Sequence, residues 1–200
     1  MKRRREGRGF TLVELMIVVA IVGVLAALAI FGVRRYLAAA KVSEAKQTIG
    51  GIARSIAMLT ERSVKSEVLP LGGLSESSLT TWCPECGGTM LCVTPQSVPA
   101  ARKYQPENLN GKDFDQCCWR CVRFGLDDPT YYQYRYSVGQ AYLGPPLGGP
   151  DPGASGVEVA AVGDLDGDTS VSTLTLTGTR DAPTGQLRFA TQVFVSNEHE

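Results

Sequence analysis

The sequence predicts an α+β protein: one long N-terminal helix packed on a four-stranded antiparallel sheet, with a cysteine-rich loop region. Three observations carry that prediction. An uncharged apolar run over residues 15–33 passes into an apolar stripe of helical period that reaches Leu59. The C-terminal part of the chain holds short β-branched segments separated by turn residues. Between these two parts lie all six cysteines, from Cys83 to Cys121, in a stretch with no sustained period. Hydrophobic content of 44% with 20% charged residues fits a folded core rather than disorder.

The helix is the clearest element. Its first part has 19 residues without a formal charge, roughly 28 Å of helix and so close to the hydrocarbon thickness of a bilayer. Further on, Val42, Ala45, Ile49, Ile52, Ile56 and Leu59 recur at intervals of 3, 4, 3, 4 and 3, while Lys41, Glu44, Lys46, Gln47 and Arg54 fall elsewhere on the circumference. That stripe is expected to face the sheet. Gly50-Gly51 is a soft point, and the helix is expected to end near Arg62, ahead of Pro70. From Phe10 to Arg62 such a helix is roughly 80 Å long.

Four segments read as strands. Residues 131–138 alternate, placing Tyr132, Tyr134, Tyr136 and Val138 on one face. Residues 157–162, 171–177 and 187–195 are rich in β-branched side chains. The short gaps between them favour an antiparallel meander. Residues 144–156, rich in Gly and Pro, read as an exposed connector. No internal repeat is evident.

Charge settles the compartment. The formal net charge is zero, yet residues 1–9 carry Lys2, Arg3, Arg4, Arg5 and Arg8 against Glu6, which leaves 15 basic and 19 acidic side chains for the rest. This argues against a basic nucleic-acid-binding body and fits a removable positive leader. The larger basic cluster precedes the apolar run and only Arg34 and Arg35 follow it, so the leader is expected to stay cytoplasmic and the body to cross outward. A secretory signal is cut after its apolar core. Here the plausible cut lies before it, at Gly9-Phe10, so the apolar helix would remain on the processed chain. Glu14 stands at the start of the run. A carboxylate at membrane depth costs about 2–4 kcal/mol, so it needs a partner.

The segment Gly9-Phe10-Thr11-Leu12-Val13-Glu14-Leu15-Met16-Ile17-Val18-Val19-Ala20-Ile21 resembles the leader junction and helix start of type IV pilins and type II secretion pseudopilins. The resemblance covers about 25 positions, one eighth of the chain. It implies that a prepilin peptidase cuts after Gly9 and N-methylates Phe10. It further implies that Glu14 pairs with the Phe10 amine of a neighbouring subunit, two charges that offset each other only in correct register. A nine-residue leader is similar to that of the type IVa subclass. Many pilins of that subclass carry a helix-breaking proline where this chain has Phe31, so a more continuous helix is expected here.

The cysteines leave two readings open. Cys83-Pro84-Glu85-Cys86 and Cys118-Trp119-Arg120-Cys121 are two C-x-x-C pairs 31 residues apart, with Cys92 and Cys117 completing the six. Four thiolates from two tight turns suit tetrahedral zinc. In an exported chain the same six read as three disulfides, with cross-pairing between the 83–92 and 117–121 groups favoured because a bond within C-x-x-C closes a small strained ring. Fifteen connectivities remain. A thioredoxin-like role for Trp82-Cys83-Pro84-Glu85-Cys86 lacks the βαβ scaffold that such chemistry uses.

Between the second and third strand segments, Asp164, Asp166 and Asp168 alternate around Gly167. Carboxylates so spaced resemble the first half of a calcium loop, although Thr175 stands where an EF-hand has its bidentate glutamate. The competing reading is an Asp-Gly turn with solvated acids. The tyrosines over 131–136 offer either sheet packing or an aromatic surface for DNA, and His199, the sole histidine, reads as a solvated tail residue. No serine–histidine–acid set, phosphate loop or paired-carboxylate cleft is present in the pattern, so no enzymatic activity is expected.

The expected organisation is a cleaved leader over 1–9, a transmembrane or filament-core helix over 10–35, and a periplasmic or extracellular head over 36–200 that includes the C-terminal half of the helix. No cofactor is certain, with calcium and zinc as the candidates. The resemblance implies a structural subunit, read here as a minor pilin of a type IV pilus serving assembly, adhesion or motility. A secretion pseudopilin, a DNA-uptake pilin and a zinc-stabilised binding module on a pilin stalk are the alternatives. Implied partners are other pilin subunits, the peptidase and an inner-membrane assembly platform. The implied location is the bacterial inner membrane, then the filament.

Overall fold

The structure, a computed structural model, describes residues 10–67, 91–139, 149–154, 156–181 and 184–198. Gly9, Cys83, Cys86 and His199 lie outside the described residues. The chain divides into two compact units, Met1–Ala38 and Ala39–Glu200.

Helix α1 (Leu12–Glu67) runs without interruption, including across Phe31, where no proline removes a backbone donor. Its described end lies five residues beyond Arg62. Ser63 is no breaker, and the next proline is Pro70. In the first unit every side chain over residues 10–37 is exposed.

The second unit is organised by the apolar stripe of α1. Val42, Ala45, Ile49, Ile52 and Ile56 are at most 1% exposed, and Leu59 packs at the margin. They share one core with the inner face of an antiparallel sheet. Each of the valine and isoleucine side chains contributes about 1.5–3 kcal/mol on burial, which is why the 3.6-residue period survives into the tertiary structure.

The sheet has six strands rather than the four expected: β1 (Leu91–Thr94), β2 (Gln133–Val138), β3 (Val157–Gly163), β4 (Ser172–Arg180), β5 (Leu187–Phe189) and β6 (Phe194–Ser196). Its order is β1-β2-β3-β4-β5, with β6 also on β4. The extra strands have two origins. β1 comes from the cysteine region. The segment expected as one strand over 187–195 divides, because β5 pairs with residues 178–180 of β4 and β6 with residues 173–175.

The register stacks Tyr134 on Ala161 and Leu174, and Tyr136 on Val159 and Leu176. Tyr132, Tyr134, Tyr136 and Val138 all face the core, as their alternation requires. The opposite face is polar, yet Glu158, Ser137, Thr175 and Thr177 are buried too. Arg135, diagonal to Glu158 in the ladder, is half-buried. Burial pulls its guanidinium below its ordinary pKa, and the Glu158 carboxylate pushes it back up.

The described residues of the Gly/Pro connector are only partly exposed. Pro152 is buried, and Gly149, in the left-handed region, lies against Phe194 of β6, where a Cβ would come within 2.7 Å of the ring. The cysteine region, expected as a long loop with small elements, includes a 3-10 turn at Asp113–Asp115 and helix α2 (Cys117–Val122).

Candidate functional site

Three places collect the residues singled out by sequence. The first is the start of α1. Thr11 precedes the first helical residue, and the Glu14 N–H donates to Thr11 Oγ1 at 3.3 Å. In return Glu14 Oε2 accepts from the Thr11 backbone N–H at 3.0 Å and from the Thr11 hydroxyl at 2.9 Å. This is a reciprocal capping box, which satisfies donors that a helix start otherwise leaves open. The carboxylate also sits where the aligned peptide dipoles are positive. Both donors converge on Oε2, and among the described residues no donor reaches Oε1. Phe10 beside it is 81% exposed. Thr11 went unnoticed in the sequence, although Thr-x-x-Glu at the head of an apolar run was the signal for it.

The second place is the cysteine region of the head. Cys92 of β1 and Cys118 of α2 form a disulfide, with Cα atoms 6.0 Å apart. This is the cross-pairing expected between the two cysteine groups. Cys117 and Cys121 are also disulfide-bonded.

The disulfide is embedded in a wider clamp. The Trp119 indole N–H donates to Thr94 Oγ1 at 2.8 Å, and the Tyr136 hydroxyl donates to the Cys118 carbonyl at 2.7 Å. Phe114, Phe124 and Tyr136 pack around the Trp119 ring with centroids 5.0 to 5.8 Å from it. Trp119 is fully buried. The short α2 has no side-chain N-cap, so its position rests on these contacts. Sequence reading missed this clamp because its hydrogen-bonded partners lie 25 and 18 residues apart and share no period.

Around it, residues 104–128 are tied by local bonds. Asp113 accepts from the Tyr104 hydroxyl and the Glu107 N–H, each at 2.7 Å. The Asn108 side-chain amide donates to the Leu126 carbonyl and Asp127. The Tyr104 phenol is pushed up to about 12, chiefly by burial and then by Asp113.

The Asp loop is arranged as a self-satisfied turn. Asp164 accepts from the Gly167 and Thr169 N–H groups, Asp166 from Asp168, and Asp168 from Ser170. Ligand atoms of the three carboxylates lie within 4.8 Å of one another. Asp164 is buried, whereas Asp166 and Asp168 are exposed.

The tyrosines do not form a surface strip. Tyr132, Tyr134 and Tyr136 are core residues, and the half-buried Tyr131 ring lies under Lys41 and Lys103 at 4.3 and 5.1 Å. A groove of about 580 Å³ between α1 and residues 124–129 is lined by Glu44, Arg54, Lys103 and Asp128 around Gly51 and Phe124. Its composition offers no nucleophile–base set.

Residues 4–30 match the prokaryotic N-terminal methylation motif. The chain is similar to a fimbrial protein of Moraxella nonliquefaciens, 53% identical over 49 residues, which is 24% of this chain and 32% of that one. It is 60% identical over 44 residues to the type IV major pilin protein PilA of Myxococcus xanthus, covering 22% of this chain and 20% of the relative. It is 63% identical over 38 residues to the type IV major pilin protein PilE1 of Neisseria gonorrhoeae, covering 19% and 23%. These matches span between a fifth and a third of the relatives' length. They support a place in the type IV pilin family. No solved structure matches the chain.

Proposed function

We propose that this chain, whose N-terminal segment is that of the type IV pilin family, is a structural subunit of a type IV pilus and more specifically a minor one. In this reading a peptidase cuts between Gly9 and Phe10 and methylates the new terminus. The subunit then waits in the inner membrane on the first part of α1. Assembly moves that helix from lipid into a bundle of like helices.

The observation that carries the reading is the contrast at the start of α1: residues 10–37 expose apolar side chains throughout, yet Glu14 stands at their head. A folded head does not need that helix, and a bilayer alone does not need that carboxylate. Glu14 Oε2 is held by Thr11, which leaves Oε1 to accept the Phe10 amine of a neighbour. Two groups that are each costly in an apolar environment offset each other only when the subunits are in register, so Glu14 sets axial position. The cysteine-dense head supports a minor role, as a braced outward surface rather than the filament's bulk.

The test is intact mass of the protein from its native membrane. Loss of residues 1–9 with gain of one methyl group is expected. An uncleaved, unmethylated chain would overturn the filament reading and leave a single-span membrane protein.

A further inference from the structure

We propose that Arg34, Arg35 and Tyr36 form a binding site for anionic phospholipid headgroups at the outer end of the apolar span, occupied while the subunit stands in the membrane. This rests on the reading of the first part of α1 as a membrane span.

The two guanidinia are exposed and have no partner of opposite charge among the described residues. The described ion pairs involve Lys46, Lys103, Lys112 and Arg120, and neither Arg34 nor Arg35. On a helix, charges pair at three or four residues' distance. At those distances from Arg34 and Arg35 stand Ile30, Phe31, Gly32, Leu37, Ala38 and Ala39, none of them acidic. The next carboxylate along α1 is Glu44, and it pairs with Lys103. Glu14 lies at the opposite end, roughly 30 Å of helix away.

Position then selects the partner. A span of roughly 28 Å from Leu15 to Val33 brings Arg34 and Arg35 to the level of the headgroups. Long arginine stems stay along the apolar surface while their planar forks reach outward, and a fork matches two phosphate oxygens at once. Successive residues are turned about 100° apart around a helix, so the two forks face different lipids. Tyr36, 74% exposed, adds an amphipathic ring of the kind that settles at this depth.

The site also has a consequence for assembly. With the leader gone, the inner flank of the span holds Glu14 and the Phe10 amine, whose charges cancel, and the outer flank holds two uncompensated cations. Anionic headgroups are then the main electrostatic hold on the waiting subunit, and withdrawal into a filament exchanges them for other partners.

The test uses the full processed chain in vesicles of phosphatidylcholine with a minority of phosphatidylglycerol, and tracer spin-labelled lipid of each class. The wild type is expected to enrich phosphatidylglycerol among its motionally restricted lipids by roughly ten-fold, falling as salt rises. R34Q/R35Q is expected to abolish that preference while resisting alkaline extraction like the wild type, and R34K/R35K, which keeps the charges but not the forks, to retain only part of it. Equal selectivity in wild type and R34Q/R35Q overturns the proposal. So does a wild type that inserts without selectivity while R34Q/R35Q loses filaments, because the guanidinia then serve carboxylates of a neighbouring subunit. A wild type that does not integrate at all removes the membrane reading itself.

Discussion

The segment through Ala38 and the head from Ala39 onward treat apolar surface in opposite ways. Residues 10–37 expose Leu, Ile, Val and Phe side chains along the helix and bury none of them within the chain. The head buries its stripe of isoleucines under three tyrosines and closes the assembly with a disulfide. On the proposed reading the first region finds its partners outside the monomer, in lipid or in sister helices. The other covers its apolar stripe from within the chain. Changes in the first should therefore register in assembly without touching head stability, and changes in the second should do the reverse.

The largest effect is expected at Glu14. If Glu14 docks as proposed, Glu14→Ala leaves a neighbour's Phe10 amine unpaired, a cost of about 3–5 kcal/mol. Filament number, counted by electron microscopy, should fall roughly a hundred-fold with the thermal midpoint of the head unchanged. Filaments of normal number and length would sink the docking role.

Trp119→Ala tests the other side of the comparison. Removing a fully buried indole and its bond to Thr94 should destabilise the head by about 3–5 kcal/mol in denaturant titration, with membrane integration intact. Opening the disulfide with Cys92→Ala/Cys118→Ala should cost about 2–4 kcal/mol by the same measurement. A loss of only a few tenths in either case would mean that the clamp does not hold α2 against β1.

A smaller effect is expected for Thr11→Ala, which removes the cap at a cost of about 1 kcal/mol. Its head should melt as the wild type does, and its filaments should be fewer than normal yet far more numerous than those of Glu14→Ala. An assembly defect equal to that of Glu14→Ala would instead make Thr11 part of the docking contact.

The smallest effect concerns pH. The Tyr104 phenol is raised from 10 to about 12 in the folded head, by burial first and by Asp113 second. The folded state thus keeps a proton that the unfolded chain releases. Its contribution is complete below pH 10 and is lost as pH rises to about 12. Tyr104→Phe should be less stable than wild type at pH 8, and the gap should close above pH 10. A gap that stays constant across that range would show that the hydroxyl contributes nothing through its proton.

The two regions also differ in how far they could be read in advance. The stripe from Val42 to Ile56 and the alternation from Tyr132 to Val138 were legible because burial on one face of a helix or strand imposes a period on the sequence. Cross-pairing of the cysteine groups followed from the strain of the short ring. The choice of Cys92 for Cys118 did not, since it depends on β1 lying beside β2. β1 has four residues and α2 six, too short to carry a period against background. Residues 187–195 read as one strand because β-branched content does not report where a ladder breaks. The Ala190 N–H still donates to the Thr177 carbonyl, after which the chain leaves β4 and returns at Phe194. At the start of α1, Glu14 was legible as a costly charge, and Thr11 followed only once its hydroxyl and N–H were seen on the carboxylate.

By itself the sequence determined the long helix, the uncharged span with Glu14 at its head, the α+β class and the inward face of the tyrosine strand. All of these follow from local composition, because transfer of apolar groups from water and backbone periodicity act residue by residue. Only the tertiary structure decided the partner of Cys118, the seat of Trp119 under Thr94 and Tyr136, the splitting of the last strand and the burial of Glu158 and Arg135 on the outer face. Those depend on which distant segments meet, and the entropy of closing a loop varies too slowly with its length to mark one pairing over another in the sequence.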